Sequence, residues 1–346
     1  MKRFIGFLAL TVLIGVVASQ SWLRAQDKVE RRDKKAGSVN VSGKILEESV
    51  GGVRIKPQGL GKEEVIPSNE ILRVTYGDMP TKAALELGKL TTAENDKNYP
   101  TLLKAYEGVQ AMPEMKSAPA GARRYLDYRV ASLKAYVADS DEELKAAAKS
   151  LADFVAANGE SWEYPHAARQ LARLQADIGD YVAATKIYES LKAGAAVPAE
   201  FKQEATAALI DIAFQSEKYD VGETRIKEVL ADPNTSGPLK ARVDLYQIGL
   251  EGTKGDLAAT IKKIQDVIDK ANDPSLKALG YNVMGDVYRA NKQKRNAMWS
   301  YLWVDQVYNQ DRGEHVKAIT RLIKIFDEDK DEEKVKLFKE KLARSR

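Results

Sequence analysis

The chain has 346 residues, of which 44% are hydrophobic and 30% charged, a balance that fits a folded chain rather than a disordered one. It contains no cysteine, which excludes disulfides, thiolate zinc sites and cysteine nucleophiles, and its two histidines, His166 and His315, lie far apart in sequence. The formal net charge is +4, but Lys2, Arg3 and Arg24 fall in an N-terminal targeting pattern; without them 51 basic residues face 50 acidic ones. A chain so close to neutral lacks the general basic field of a nucleic-acid binder.

Met1-Lys2-Arg3 is followed by an uncharged, largely apolar run from Phe4 to Ala18 and a more polar stretch to Ala25. This three-part order predicts a secretory signal peptide over residues 1–25, cleaved after Ala25, where charged sequence begins; Ala18 is a second cleavage point. The run is shorter than the roughly 20 residues that span a bilayer, so an uncleaved inner-membrane anchor is the alternative. No later segment is apolar enough to cross a membrane. The expected location is the periplasm or outside the cell.

Residues 27–80 change period. Val39, Val41, Gly43 and Ile45 alternate with polar residues, as do Val53 and Ile55; Val65-Ile66 and Ile71 to Tyr76 supply further runs. Gly51-Gly52 sits where a tight hairpin needs positive φ. Four or five short strands are expected, too few for an independent core and therefore packed on the helical region. Gly43-Lys44-Ile45, the Gly-Gly turn, Val53-Arg54-Ile55, Ile66-Pro67 and Glu70 to Val74 together resemble the small SH3-like or Sm-like β-barrels. The resemblance covers about fifty residues and would carry RNA binding only by analogy of fold.

Residues 81–346 are rich in Ala, Leu, Lys and Glu at helical spacing. Leu171-Ala172, Gly179-Asp180-Tyr181, Ala184, Tyr188 and Leu191 resemble the tetratricopeptide repeat, in which small residues let two antiparallel helices approach and a Gly-Asp-Tyr-like turn joins them. The turn-end position recurs at Tyr99, Leu144, Tyr181, Tyr219, Leu257, Lys294 and Asp331, at intervals of 45, 37, 38, 38, 37 and 37. In the second helix the small position is Ala147, Ala184, Gly222, Thr260 and Ala297, with Leu151, Tyr188, Ile226, Ile264 and Tyr301 four residues on, hence on the same face. Met284-Gly285 and Tyr288 give the best first-helix match. The reading is a mainly α protein: a tetratricopeptide-like α-solenoid of six to seven helix pairs, the first irregular and the last a charged cap, each stacking on its neighbours, preceded by a small antiparallel β-barrel-like module.

No motif carries catalysis. Gln58 to Lys62 lacks phosphate-loop spacing. Acidic groups at 139–143 and 327–333 are solvated turn or surface charge, and Asp327-x-Asp329-x-Asp331 lacks the glycine and the glutamate of a calcium loop. No catalytic, cofactor or metal residue is expected. His166 and His315 are expected at exposed helix starts or in a groove.

The resemblance implies a concave surface lined by first helices, placing Arg169, Arg173, Asp211, Asn282, Asp286 and Arg289 toward a peptide or protein partner. Trp299 and Trp303 share a helix face pointing away from Ala297 and Tyr301; exposed, the pair is a second candidate partner-binding site, an interface anchor, but tryptophan's usual burial predicts that the last helices or the β module cover them. The functional expectation is a non-enzymatic interaction scaffold of the cell envelope. The alternatives are a helical-toroid enzyme acting on polysaccharide, which needs an aromatic cleft with paired carboxylates, and nucleic-acid binding through the β module.

Overall fold

A computed structural model describes residues 26–346, apart from Lys34, Leu60, Glu217, Asn234 and Arg346. The segment expected to be a signal peptide lies outside the described residues, as does Leu60 in the Gln58–Lys62 run.

Five antiparallel strands come first: β1 (Asp27–Asp33), β2 (Gly37–Ser49), β3 (Gly52–Pro57), β4 (Glu64–Pro67) and β5 (Ile71–Thr75), in the order β4-β3-β2-β1-β5. The chain meanders from β1 to β4, makes a 3-10 turn at Ser68–Glu70, and returns so that β5 pairs with β1. The β2–β3 hairpin depends on Gly52: its φ is +149°, and a Cβ there would sit 2.0 Å from the Ile66 carbonyl oxygen. Period-two alternation buries Val29, Val53, Ile55, Ile66, Ile71 and Val74 on one face. That face shares one continuous core with Leu102, Tyr106, Tyr125, Leu126, Leu133 and Trp162 of the helical region, so the strands stand on the helices rather than apart from them.

Fifteen helices follow among the described residues. The first unit is broken: α1 (Thr81–Gly88) and the single turn α2 (Thr91–Asn95) face α3 (Tyr99–Gln110). Six regular antiparallel pairs come next: α4 (Ala120–Val137) with α5 (Asp141–Ala157), α6 (Tyr164–Asp177) with α7 (Tyr181–Ala193), α8 (Ala199–Gln215) with α9 (Tyr219–Ala231), α10 (Gly237–Lys254) with α11 (Leu257–Lys270), α12 (Pro274–Ala290) with α13 (Lys294–Gln306), and α14 (Arg312–Glu328) with α15 (Glu332–Ser345). The expected fold class, a helix-pair solenoid behind a small antiparallel sheet, is the one observed.

The pair geometry arises from the chain itself. Side-chain oxygens of Asn98, Ser140, Asp180, Asp256 and Asp311 accept from amides in the first turns of α3, α5, α7, α11 and α14, satisfying donors a helix start leaves open. Lys97, Gly179, Lys292 and Lys330 adopt positive φ two residues before α3, α7, α13 and α15 begin, giving the repeat a common turn. The small positions Ala147, Ala184, Gly222, Thr260 and Ala297, and the large ones four residues on, are all buried. At Gly285 an added Cβ would lie 2.3 Å from the Tyr301 ring, which is how closely α12 and α13 approach.

One expectation fails. The pairs do not stack only on their neighbours, because the array curls tightly enough for α14 to cross its inner side. The Arg312 guanidinium lies 5.2 Å from the ring centroid of Tyr136 on α4, and Tyr136 in turn stacks on Tyr99. Further along α14, side chains bond to α8, α10 and α12. Ion pairs between inward-directed side chains link these first helices across the curl.

Candidate functional site

The inner side is a dense polar network centred on Glu314. This carboxylate is 1% exposed and accepts from Arg242 Nη2 at 2.6 Å, Lys317 Nζ at 3.0 Å and Asn282 Nδ2 at 3.0 Å. Burial works against its ionisation, but Lys317 and Arg242 prevail and hold its pKa at about 2. Asp211 accepts from the Tyr246 hydroxyl at 2.5 Å and pairs with Lys317. Asp286 accepts from the Tyr301 hydroxyl at 2.7 Å and from Arg321 at 2.6 Å; burial still raises its pKa.

Three expected groove residues are therefore engaged within the chain. Asn282, 1% exposed, and the buried Asp211 are not surface contacts, and Asp286 is tied to α14. The repeat motif placed them on the inward face; it contained no hint that α14 fills that face. Arg289 pairs with Glu328 of α14. Arg169 pairs with Glu204 at 3.0 Å and lies over the Phe201 ring. Arg173 alone of the six remains exposed. Although the side chain is open to solvent, crowding around its charged end opposes ionisation, and Tyr188 and Glu204 outweigh this and raise its pKa.

His166, expected at the surface or in a groove, and His315, expected at an exposed helix start, are both half-buried. The His166 ring nitrogen Nε2 lies 2.7 Å from the Ser68 carbonyl oxygen, and the ring meets Phe201 edge-on, so it fastens α6 to the β module. Burial and the nearby Arg169 lower its pKa to about 4. Beside it, Arg124 bridges Glu163 at 3.0 Å and Glu48 at 2.9 Å, and the Tyr76 hydroxyl donates to Glu48 at 2.6 Å. Burial raises Glu163 to about 7 despite Arg124. His315 is half-buried and meets Asp305 at 2.9 Å, and Lys341 of α15 pairs with the same carboxylate at 2.7 Å.

On the outside of α13 the tryptophans are uncovered: Trp299 is 53% and Trp303 48% exposed, contrary to the expected covering. Helix α15 shares the core formed by α13 and α14, and the β module packs on the first helices, yet both rings stay open. Trp303 stacks on Tyr281 at 5.8 Å and 17°, and Tyr281 stacks on Tyr308 at 5.3 Å and 19°. Lys277 Nζ lies 6.0 Å from the Tyr308 centroid, and Val307 extends the exposed stripe by one turn. Trp299, Trp303 and Val307 recur every four residues, a signal available in sequence; Tyr281 and Tyr308 join only through packing.

Among the described residues no group of three or more His, Asp or Glu could hold a metal ion, and no helix is long and apolar enough to cross a membrane.

No family model matches the chain, and no curated protein matches it. One solved structure, described as a tetratricopeptide repeat protein from Parabacteroides merdae, is similar to it at a TM-score of 0.47 and 15% identity, over 76% of this chain and 93% of that one.

Proposed function

We propose that this chain is an exported, non-enzymatic interaction scaffold of the bacterial cell envelope, and that it holds a protein partner on the outer face of α13. The reading rests on the uncovered aromatic stripe of Trp299, Trp303 and Val307 with its Tyr281–Tyr308 stack. Large rings on a rigid helix lose little conformational freedom on docking, and interface energy concentrates in such anchors. Export rests on the pattern of residues 1–25, with cleavage after Ala25. The inner carboxylates support a role other than catalysis: Asp211, Asp286 and Glu314 each face a cation, and none stands ready as a free acid or base. The β module, which we read as SH3-like, serves to brace the first helix pairs, since its apolar face is spent on their core.

A second reading keeps the inner groove as a peptide site. Exposed Arg173, beside the Arg169–Glu204 pair, is the observation that favours it.

A photo-crosslinking residue placed at Trp299 in intact cells should capture a protein, and the same probe at Arg173 should not. Capture from Arg173 alone would move the partner to the groove.

A further inference from the structure

The side of the β module turned away from its core is basic at one place. Strand register sets Lys44 of β2 directly opposite Lys56 of β3, and Lys28 of β1 opposite Ser42, two residues from Lys44 on the same side of β2. Val29, Ile45 and Ile55 point the other way, into the core. Lys44 and Lys56 are exposed and Lys28 is half-buried. Arg73 pairs with Glu30 at 2.9 Å and Arg54 with Glu47 at 2.5 Å, but the three lysines have no ion pair among the described residues.

Like charges directly opposite across an antiparallel pair, with Cβ atoms about 5 Å apart, destabilise a sheet. Outside residues 1–25 the chain holds 50 acidic residues against 51 basic ones, so carboxylates to neutralise the lysines exist in number, yet none is placed there. Apolar side chains stand beside them instead. The register shift between Ile45 and Glu47 leaves Leu46 as the extra residue of a bulge, 38% exposed. Val65 of the edge strand β4 pairs with Arg54, on the lysine side of the sheet, and is 60% exposed. Lys28, Ser42, Lys44, Arg54, Lys56 and Val65 include no aromatic ring, so this surface lacks the stacking platform of single-stranded nucleic-acid binders.

We propose that this side of the β module docks reversibly on a bilayer rich in anionic phospholipid. The ammonium groups of Lys28, Lys44 and Lys56 lie against the headgroup phosphates, and Val65 and Leu46 enter the boundary between headgroups and acyl chains. Lysine suits this contact, a compact hydrated charge on a long apolar stem. Each basic residue at an anionic membrane surface strengthens partition about fivefold, so three give an attachment that is weak and sensitive to salt. The apolar pair singles out a bilayer, because a soluble polyanion would gain nothing from it. This surface is separate from the α13 face, and neither reading depends on the other.

The test uses residues 26–346, which hold every described residue, so that the apolar run Phe4–Ala18 cannot insert. In flotation, vesicles of equal parts phosphatidylglycerol and phosphatidylcholine should carry the protein at low salt and release it at about 0.5 M salt, and vesicles of phosphatidylcholine alone should not carry it. Lys56→Glu should weaken binding at least about tenfold, with a urea midpoint equal to or above wild type, because it replaces a like-charge pair by an opposite one. Val65→Ser, at an exposed position, should weaken binding about threefold. Trp299→Ala/Trp303→Ala, assayed while folded, should bind as wild type. Absence of binding to the anionic vesicles, equal binding to phosphatidylcholine, undiminished binding by Lys56→Glu, or loss of binding in the tryptophan variant would each overturn the proposal. Undiminished binding by Val65→Ser would overturn it too, in favour of a soluble polyanion.

Discussion

Glu314→Gln tests whether the inner network holds the array's curl. Glutamine preserves shape and one acceptor but removes the charge that faces Arg242 and Lys317. The magnitude comes from two directions. Depression of the carboxyl from 4.5 to about 2 corresponds to about 3 kcal/mol of native-state stabilisation at about 1.36 kcal/mol per unit. Breaking a buried ion pair from one side costs about 3–5 kcal/mol, because the partners stay buried and uncompensated. Urea unfolding near pH 7 should therefore show a loss of about 3 kcal/mol, a large part of a typical domain's stability. The pH dependence separates this cause from generic damage. A carboxyl whose folded pKa is depressed stabilises fully above its unfolded value near 4.5, and that contribution drains away as pH falls to about 2. The gap between wild type and variant should close across that window. A gap that stays constant from about pH 5 to about pH 2.5, or one absent at pH 7, would refute the ionised hub.

Two further predictions concern packing and the junction. Glu163, raised to about 7, makes the native state gain stability as pH falls from 7 to 4.5; His166, lowered to about 4, makes it lose stability as pH falls from 6.5 to 4. Each amounts to about 3 kcal/mol, so the wild type should be nearly flat between about pH 6.5 and 4.5. Glu163→Gln should expose an acid loss and His166→Phe an acid gain; parallel profiles for both in urea titrations would contradict the assignment. Gly285→Ala should destabilise by about 1–3 kcal/mol through the clash with Tyr301, whose hydroxyl is fixed by Asp286. A thermal midpoint equal to wild type would show that α12 and α13 can part at little cost.

The repeat register was legible because each unit repeats the same local physics. Tyr99, Tyr181, Tyr219, Leu257 and Lys294, identified as turn ends by spacing, are the first residues of α3, α7, α9, α11 and α13. Leu144 lies three residues inside α5 because Ser140 caps that helix earlier, its hydroxyl accepting from the Glu143 amide. Asp331 precedes α15, and its carboxylate accepts from the Lys334 amide. Strand β1 escaped notice: Asp-Lys-Val-Glu-Arg-Arg-Asp buries only Val29 and is held by its neighbours β2 and β5 rather than by its own pattern. The curl was hidden for a related reason. Lys317–Asp211 and Arg242–Glu314 join residues 106 and 72 apart, and helical periodicity carries no information on such pairs. The tryptophan face shows the converse. Its spacing was plain, but the lack of a cover depends on where α15 packs, a tertiary fact.

The most direct test of the scaffold reading is the affinity of the crosslinked partner for Trp299→Ala/Trp303→Ala. Docking would bury on the order of 100 Å² more of each ring, or about 2–3 kcal/mol per tryptophan. The double variant should bind at least about 30-fold more weakly, measured under conditions where it remains folded, since the buried half of each ring and the Trp303–Tyr281 stack are lost with it. An unchanged Kd would contradict the account.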